Sequence, residues 1–315
     1  MKLNEVITMK EYDLVVIGAG PGGMTAAMYG ARANLKVAMI DRGVYGGQMN
    51  NTAEVENYPG FPSIMGPDLG EKMYKSATKQ GVEFVYGDVQ KIELDGQKRI
   101  VKMDPEDITA KAVIIATGST NRKLGIPGEE EYSGRGVSYC AVCDGAFFKD
   151  ENVAVVGGGD SAISEGLYLA NLAKDVDVIH RRDQLRAERV LQTRAFKNPK
   201  MEFTWDSVPV EIVGDENKVT GVKVHNKKTD EDKVIDASGV FIYIGNVPNS
   251  EPFKELKITD DQGWIITNDQ METTVPGIYA VGDVRQKKLR QIVTAVGEGG
   301  IAGQNAFEYI SELTD

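Results

Sequence analysis

Residues 12–23 read YDLVVIGAGPGG, and residues 152–162 read NVAVVGGGDSA. In both, an apolar run that suits a buried strand (Tyr12–Ile17, Val153–Val156) stops at a glycine-rich turn. Each turn opens a helix-like stretch, to Ala33 in the first copy and to Ala173 in the second. A lone G-x-G-x-x-G says little; the strand before it and the helix after it make it a dinucleotide-binding fingerprint. The first glycine (Gly18, Gly157) permits the tight turn, and the second (Gly20, Gly159) lets a pyrophosphate approach the backbone. The third position (Gly23, Ala162) lets helix and strand meet closely. The helix starts, Pro21-Gly22 in one copy and Asp160-Ser161 in the other, present N–H groups and partial positive charge to phosphate.

The repeat extends beyond the turns. A second short strand follows in each copy, Lys36–Ile40 and Val176–Ile179, and Asp41 and His180 both stand 23 residues after the first glycine. A third landmark also recurs, AVIIATG at 112–118 and GVFIYIG at 239–245. After both copies comes one more strand, 277–281, ending in Gly282-Asp283. This order predicts one nucleotide-binding domain interrupted by another: 1–120 with 248–315, and 121–247 inserted. The expected fold class is α/β, with two Rossmann-like three-layer domains and parallel sheets in both. The chain crosses between them near 121–128 and 246–249, where proline and polar residues suit a hinge.

The ends of the second strands separate the ligands. The Asp41 carboxylate suits ribose hydroxyls and repels a 2′-phosphate, which fits the adenosine end of FAD. The second copy places His180-Arg181-Arg182 there, with Arg186 a turn further on; three guanidiniums together call for an anion, and the 2′-phosphate of NADPH is the obvious one. At about 1.5–3 kcal/mol for each of two charge-assisted contacts, NADPH should be preferred over NADH by roughly a hundredfold or more. A solvated basic patch is the plainer alternative. Asp283, before the helix-like run Gln291–Ile310, suits a polyhydroxylated ribityl chain, and that helix start suits negative charge on a reduced flavin ring. Alone, Gly282-Asp283 would be an ordinary turn.

The chain has only two cysteines, Cys140 and Cys143, in a C-x-x-C ahead of the second fingerprint. Zinc needs four clustered ligands, and the two histidines, His180 and His225, lie far along the sequence, so no metal is expected. A static disulfide is not expected in a reducing cytosol. A C-x-x-C at a helix start brings the sulfurs within bonding reach and depresses thiol pKa values. Asp144 is either the acid that returns a proton to a leaving thiolate or a first-turn cap. The formal charge of −11 argues against a nucleic-acid groove. No apolar stretch approaches a membrane span, and Met1–Lys10 lacks the apolar core of a secretory signal, so a cytoplasmic location is expected.

With these residues assembled, the chain resembles the bacterial-type, low-molecular-weight thioredoxin reductases along nearly its whole length. The resemblance lies in Gly18–Gly23, Gly46-Gly47-Gln48, the run Glu54–Gly60 and Ala116-Thr117-Gly118. It continues in Cys140–Asp144, Gly157–Ala162, His180-Arg181-Arg182 with Arg186, and Gly282-Asp283-Val284 with Arg290-Gln291. The resemblance implies a homodimer, FAD in the discontinuous domain and NADPH in the inserted one. It places Cys143 on the flavin side and makes Cys140 the nucleophile toward thioredoxin or a thioredoxin-like protein. A rotation of the inserted domain is implied too. Further FAD contacts carried over are Arg42, Gly47, Gln48, Asn57, Val89, Ala116, Thr117, Gly118, Gly282, Arg290, Gln291 and Ile292; Ile244 and Gly245 go to NADPH. Asp41 stands where relatives often carry Glu, and Ser161 where they often carry Thr.

Three other readings compete. The flavoprotein reductase of a peroxide-reducing system shares this core, but usually carries an extra N-terminal redox module, and only ten residues precede the first strand here. A ferredoxin-type NADP reductase lacks the dithiol. A non-catalytic redox sensor would need no complete relay.

Overall fold

The computed structural model describes residues 9–52 and 54–313. Most of the N-terminal stretch read above for a secretory signal lies outside them. The described chain forms two compact units: one holds the residues up to Asn50, Glu54–Thr120 and those from Pro248 onward, the other Asn121–Val247 together with 51–52.

The first unit begins β1 (Lys10–Ile17), α1 (Pro21–Arg32), β2 (Val37–Asp41), then the short hairpin β3 (Glu54–Val55) and β4 (Ile64–Met65). It continues α2 (Gly66–Thr78), β5 (Glu83–Tyr86), β6 (Asp88–Asp95), β7 (Lys98–Asp104) and β8 (Ile108–Ile115), and the chain leaves along β9 (Ser119–Asn121). β1 lies between β2 and β8, parallel to both, which aligns Ile17 with Ile40 and Ile115. Alternate side chains of a strand point to opposite faces. Leu14 and Val16 accordingly join one core with Met24 and Ala27 of α1, while Val15 and Ile17 join the other. A strand buried on both faces reads as a continuous apolar run, which is why β1 was legible.

The inserted unit holds β10 (Val137–Ser138), α3 (Ala141–Asp144), β11 (Asn152–Gly157), α4 (Asp160–Ala170), β12 (Asp175–Ile179), α5 (Arg189–Lys197) and β13 (Met201–Thr204). Then come β14 (Ser207–Gly214), β15 (Val219–Asn226), β16 (Glu231–Asp236) and β17 (Gly239–Tyr243), and β18 (Asn246–Pro248) carries the chain back. Its five-stranded sheet, in the order β10-β17-β11-β12-β13, is parallel throughout. The first unit is completed by β19 (Ile278–Ala280), parallel to the end of β8, and α6 (Ile292–Glu312), which packs on α1.

The expectation of purely parallel sheets is corrected in both units. β7 runs antiparallel to β6 and to the start of β8, and β14-β15-β16 form a separate antiparallel sheet. The reason is connection length, since a parallel pair needs a crossover of a dozen or more residues. β6 and β7 are joined at Gly96, in the left-handed region at φ 56°. The β14–β15 turn is closed by Asp215 Oδ1, which accepts from the amides of Asn217 and Lys218.

Candidate active site

In the first unit the glycine turn is sterically obligatory. Gly18 has φ 109°, and a Cβ there would stand 2.3 Å from the Ala116 carbonyl oxygen. A Cβ on Gly23 would lie 1.9 Å from Gly18 O, so helix and strand meet where only glycine fits. At Gly20 a Cβ would meet nothing within 4 Å, and α1 starts there without a side-chain cap. Open space beside uncapped helix amides fits a pyrophosphate. The Asp41 carboxylate accepts from the amides of Ala19 (2.8 Å) and Gly43 (2.9 Å). One bond to each oxygen leaves acceptor capacity for ribose hydroxyls.

Several other predicted positions come together. Asn57 Nδ2 donates to Gln291 Oε1 at 3.1 Å, and Gln48 Nε2 donates to Ser119 O at 3.1 Å. Thr117 and Asn249 bond reciprocally, at 2.7 and 2.9 Å. Gly47 and Gly118 are both in the left-handed region. Arg42 is exposed and Ile292 half-buried, whereas the Val89 side chain is buried in the core, which leaves only its backbone to face a ligand. Ser119, absent from the sequence reading, has a buried hydroxyl with no partner among the described residues. Its only signal was its place after Gly118.

A buried ionic network under Gly282-Asp283 was also missed. Glu298 of α6 accepts from the Gly282 amide (2.7 Å) and pairs with Arg285 (2.8 Å) and Lys287 (3.2 Å). Burial raises the Asp283 carboxyl, opposed by Lys287 and then Arg290. Arg290 stacks over Trp264, 3.7 Å from guanidinium carbon to ring centre. Its Nη2 donates to Arg285 O, and its buried Nε has no partner among the described residues. The orphaned donor, the fixed Asp283 and the open glycine turn fit a polyhydroxylated, phosphate-bearing cofactor.

The inserted unit repeats the turn with differences. A Cβ on Gly159 would meet nothing within 4 Å, and α4 also starts without a side-chain cap. Asp160 Oδ1 accepts from the Glu188 amide (2.7 Å), and the Arg186 amide donates to Gly158 O (2.6 Å). Ala162 is buried and Ser161 exposed; Ile244 is half-buried and Gly245 exposed. Arg181, Arg182 and Arg186 are exposed, and none forms an ion pair among the described residues. His180 differs from them in burial. It is 4% exposed, and a Cβ on Gly158 would strike its ring at 2.4 Å. Burial, aided by the charges of Arg186, Arg181 and Arg182, holds its imidazole below the usual range. The cationic character of this site therefore rests on the three arginines.

Cys140 and Cys143 form a disulfide with Cα atoms 5.4 Å apart. Cys140 caps α3, its Sγ accepting from the Cys143 amide at 3.1 Å. α3 has four residues, and a single turn supplies little macrodipole to the thiols. Hydroxyls take its leading amides: Ser138 Oγ accepts from Cys140 N (3.0 Å), and Tyr243 Oη from Ala141 N (3.0 Å). Asp144 accepts from Ser138 Oγ at 2.7 Å and caps nothing. Glu129, buried, binds the Leu124 and Gly125 amides and the Tyr139 hydroxyl, tying the segment before the dithiol in place. Phe147, just beyond the turn, is 81% exposed.

The sequence pattern of the pyridine nucleotide-disulphide oxidoreductases matches residues 12–299. The thioredoxin reductase of Listeria monocytogenes is 56% identical over 307 residues, 97% of this chain and 96% of that protein. That of Bacillus subtilis is 53% identical over 97% of both. The crystal structure of Lactococcus lactis thioredoxin reductase matches with a TM-score of 0.94 at 54% identity, covering 96% of this chain and 99% of that one.

Proposed function

The chain belongs to the pyridine nucleotide-disulphide oxidoreductase family, among the thioredoxin reductases, and from that premise we propose how its residues reduce a thioredoxin disulfide. The observation that carries the reading is the Cys140–Cys143 disulfide in a chain with two dinucleotide-type turns. Thioredoxin reductases of this type use FAD and NADPH. Bound, these supply hydride transfer from nicotinamide and an electron pair for the disulfide.

We assign FAD to residues 1–120 with 248–315 and NADPH to 121–247. Gly18–Gly23 hold the FAD pyrophosphate, Asp41 a ribose, and Asp283 with Arg290 the polar chain toward the ring. Gly157–Ala162 hold the NADPH pyrophosphate, and Arg181, Arg182 and Arg186 its 2′-phosphate. After reduction, the Cys140 thiolate attacks one sulfur of the thioredoxin disulfide. A Cys140–thioredoxin disulfide forms, and the released thioredoxin thiolate takes a proton, which Asp144 supplies. The Cys143 thiolate then attacks Cys140 Sγ, closes the internal disulfide and frees the second thiolate, which is protonated in turn. Exposed Phe147 offers an apolar contact beside the dithiol for a protein partner.

The test is NADPH oxidation by the FAD-loaded protein, expected to depend on oxidised thioredoxin and to yield one thioredoxin dithiol per NADPH. NADPH consumption that ignores thioredoxin would sink the proposal. The same reading includes a homodimer, supported by exposed Tyr29 on α1 and Val293 and Ile301 on α6. Light scattering should then give twice the 34.3 kDa chain mass; a monomer mass would refute it. Among the described residues no helix is long and apolar enough to cross a membrane. Reliance on NADPH suits a cytoplasmic location, which cell fractionation checks.

A further inference from the structure

The helix packed on the redox turn, α4, carries a carboxyl that none of the steps above uses. Glu165, on α4, is 8% exposed, and its buried Oε2 has no hydrogen-bond partner among the described residues. Among the described residues it forms no ion pair, although α4 packs on α3, α5, β11, β12, β13 and β17. Burial alone raises it, to about 7. An unpaired, desolvated carboxyl in the nucleotide-binding helix is costly, and its persistence asks for a use.

Tyr243, from the end of β17, supplies the connection. Its hydroxyl oxygen accepts from the Ala141 amide at 3.0 Å, inside the redox turn. Its proton is held strongly by burial and then by the charge of Glu165, with the Ala141 bond opposing and Asp144 adding to the effect. The hydroxyl thus feels two carboxyls, Glu165 of α4 and Asp144 of α3. Ser138 treats the preceding amide alike, accepting from Cys140 N while bonded to Asp144. Two consecutive amides at the start of the redox turn are each held by a hydroxyl under the influence of a carboxyl.

We propose that Tyr243 and Glu165 are positioning residues for the dithiol: the tyrosine hydroxyl anchors the Ala141 amide, and the buried carboxyl of α4 sets the charge felt by the redox turn packed on that helix. While Glu165 is neutral, the thiolate formed on reduction faces no fixed negative charge from α4. Once Glu165 ionises, that charge opposes the thiolate and favours the thiol.

The inference rests on the dithiol reading above; its Glu165 arm is tested without thioredoxin or NADPH, so that arm and the dithiol reading fail separately. The FAD-loaded protein is reduced with dithiothreitol, desalted anaerobically and alkylated with iodoacetamide between pH 5.5 and 8.5. Glu165→Gln, which keeps the shape and removes the charge, should react about threefold faster than wild type at pH 8.5 and equally at pH 5.5. A profile coinciding with wild type, or a shift equal at every pH, would overturn the role of Glu165. Tyr243→Phe keeps the ring but frees the Ala141 amide, and should lower kcat with thioredoxin about tenfold while leaving KM for NADPH unchanged. Unchanged kcat, or a rise in KM alone, overturns the anchoring role. Should Glu165→Gln not fold, Glu165→Met takes its place in the alkylation series.

Discussion

Changing Cys143 to serine is expected to stop thioredoxin turnover and to leave thioredoxin covalently attached at Cys140. The two cysteines act as one unit, so losing either should cost at least about a thousandfold in kcat. Turnover alone therefore does not separate their roles. The covalent product does, because Cys140 can still open the thioredoxin disulfide when Cys143 is absent, and nothing then resolves the mixed disulfide. Cys140→Ser should lose turnover equally and trap nothing. The distinction has force because Cys143 is the more exposed residue of the pair, so exposure alone would name the opposite nucleophile. Non-reducing electrophoresis of each variant with oxidised thioredoxin decides it. A trapped complex with Cys140→Ser and none with Cys143→Ser would reverse the assignment.

Much of this site was legible because it is built from local pattern. The strand–turn–helix units follow from an apolar run meeting glycines, and the shared interval to Asp41 and His180 marked the ends of β2 and β12. What escaped was non-local. The Glu298 network under Gly282 joins residues 16 apart through a buried ion cluster, and the Tyr243–Ala141 bond spans 102 residues. No periodicity announces either. The antiparallel strands were misjudged for a different reason. Asp95-Gly96 and the turn at Asp215 are hairpin signals, and weight placed on the fingerprints hid them. The packing of the buried His180 ring on Gly158 was equally invisible in the sequence.

The burial of His180 sharpens the expectation for the arginines. With the His180 ring buried and its imidazole held below the usual range, discrimination between NADPH and NADH falls to Arg181, Arg182 and Arg186. Changing Arg181 and Arg182 together to alanine should raise KM for NADPH by about a hundredfold, taking each lost charge-assisted contact at the low end of its range because the side chains are exposed. KM for NADH should move less than about threefold, since that cofactor lacks the phosphate these groups would hold. The remaining kcat should change little, because the 2′-phosphate is remote from the transferred hydride and its contacts act on binding. Wild-type KM for NADPH should also climb with salt as the exposed charges are screened, and the variant should lose most of that slope. Steady-state kinetics with both nucleotides at two salt concentrations tests all of this at once. Equal losses with NADPH and NADH would mean that the arginines serve the fold of the segment after β12. A salt slope that survives the double change would place the phosphate elsewhere, with Arg186 the next residue to replace.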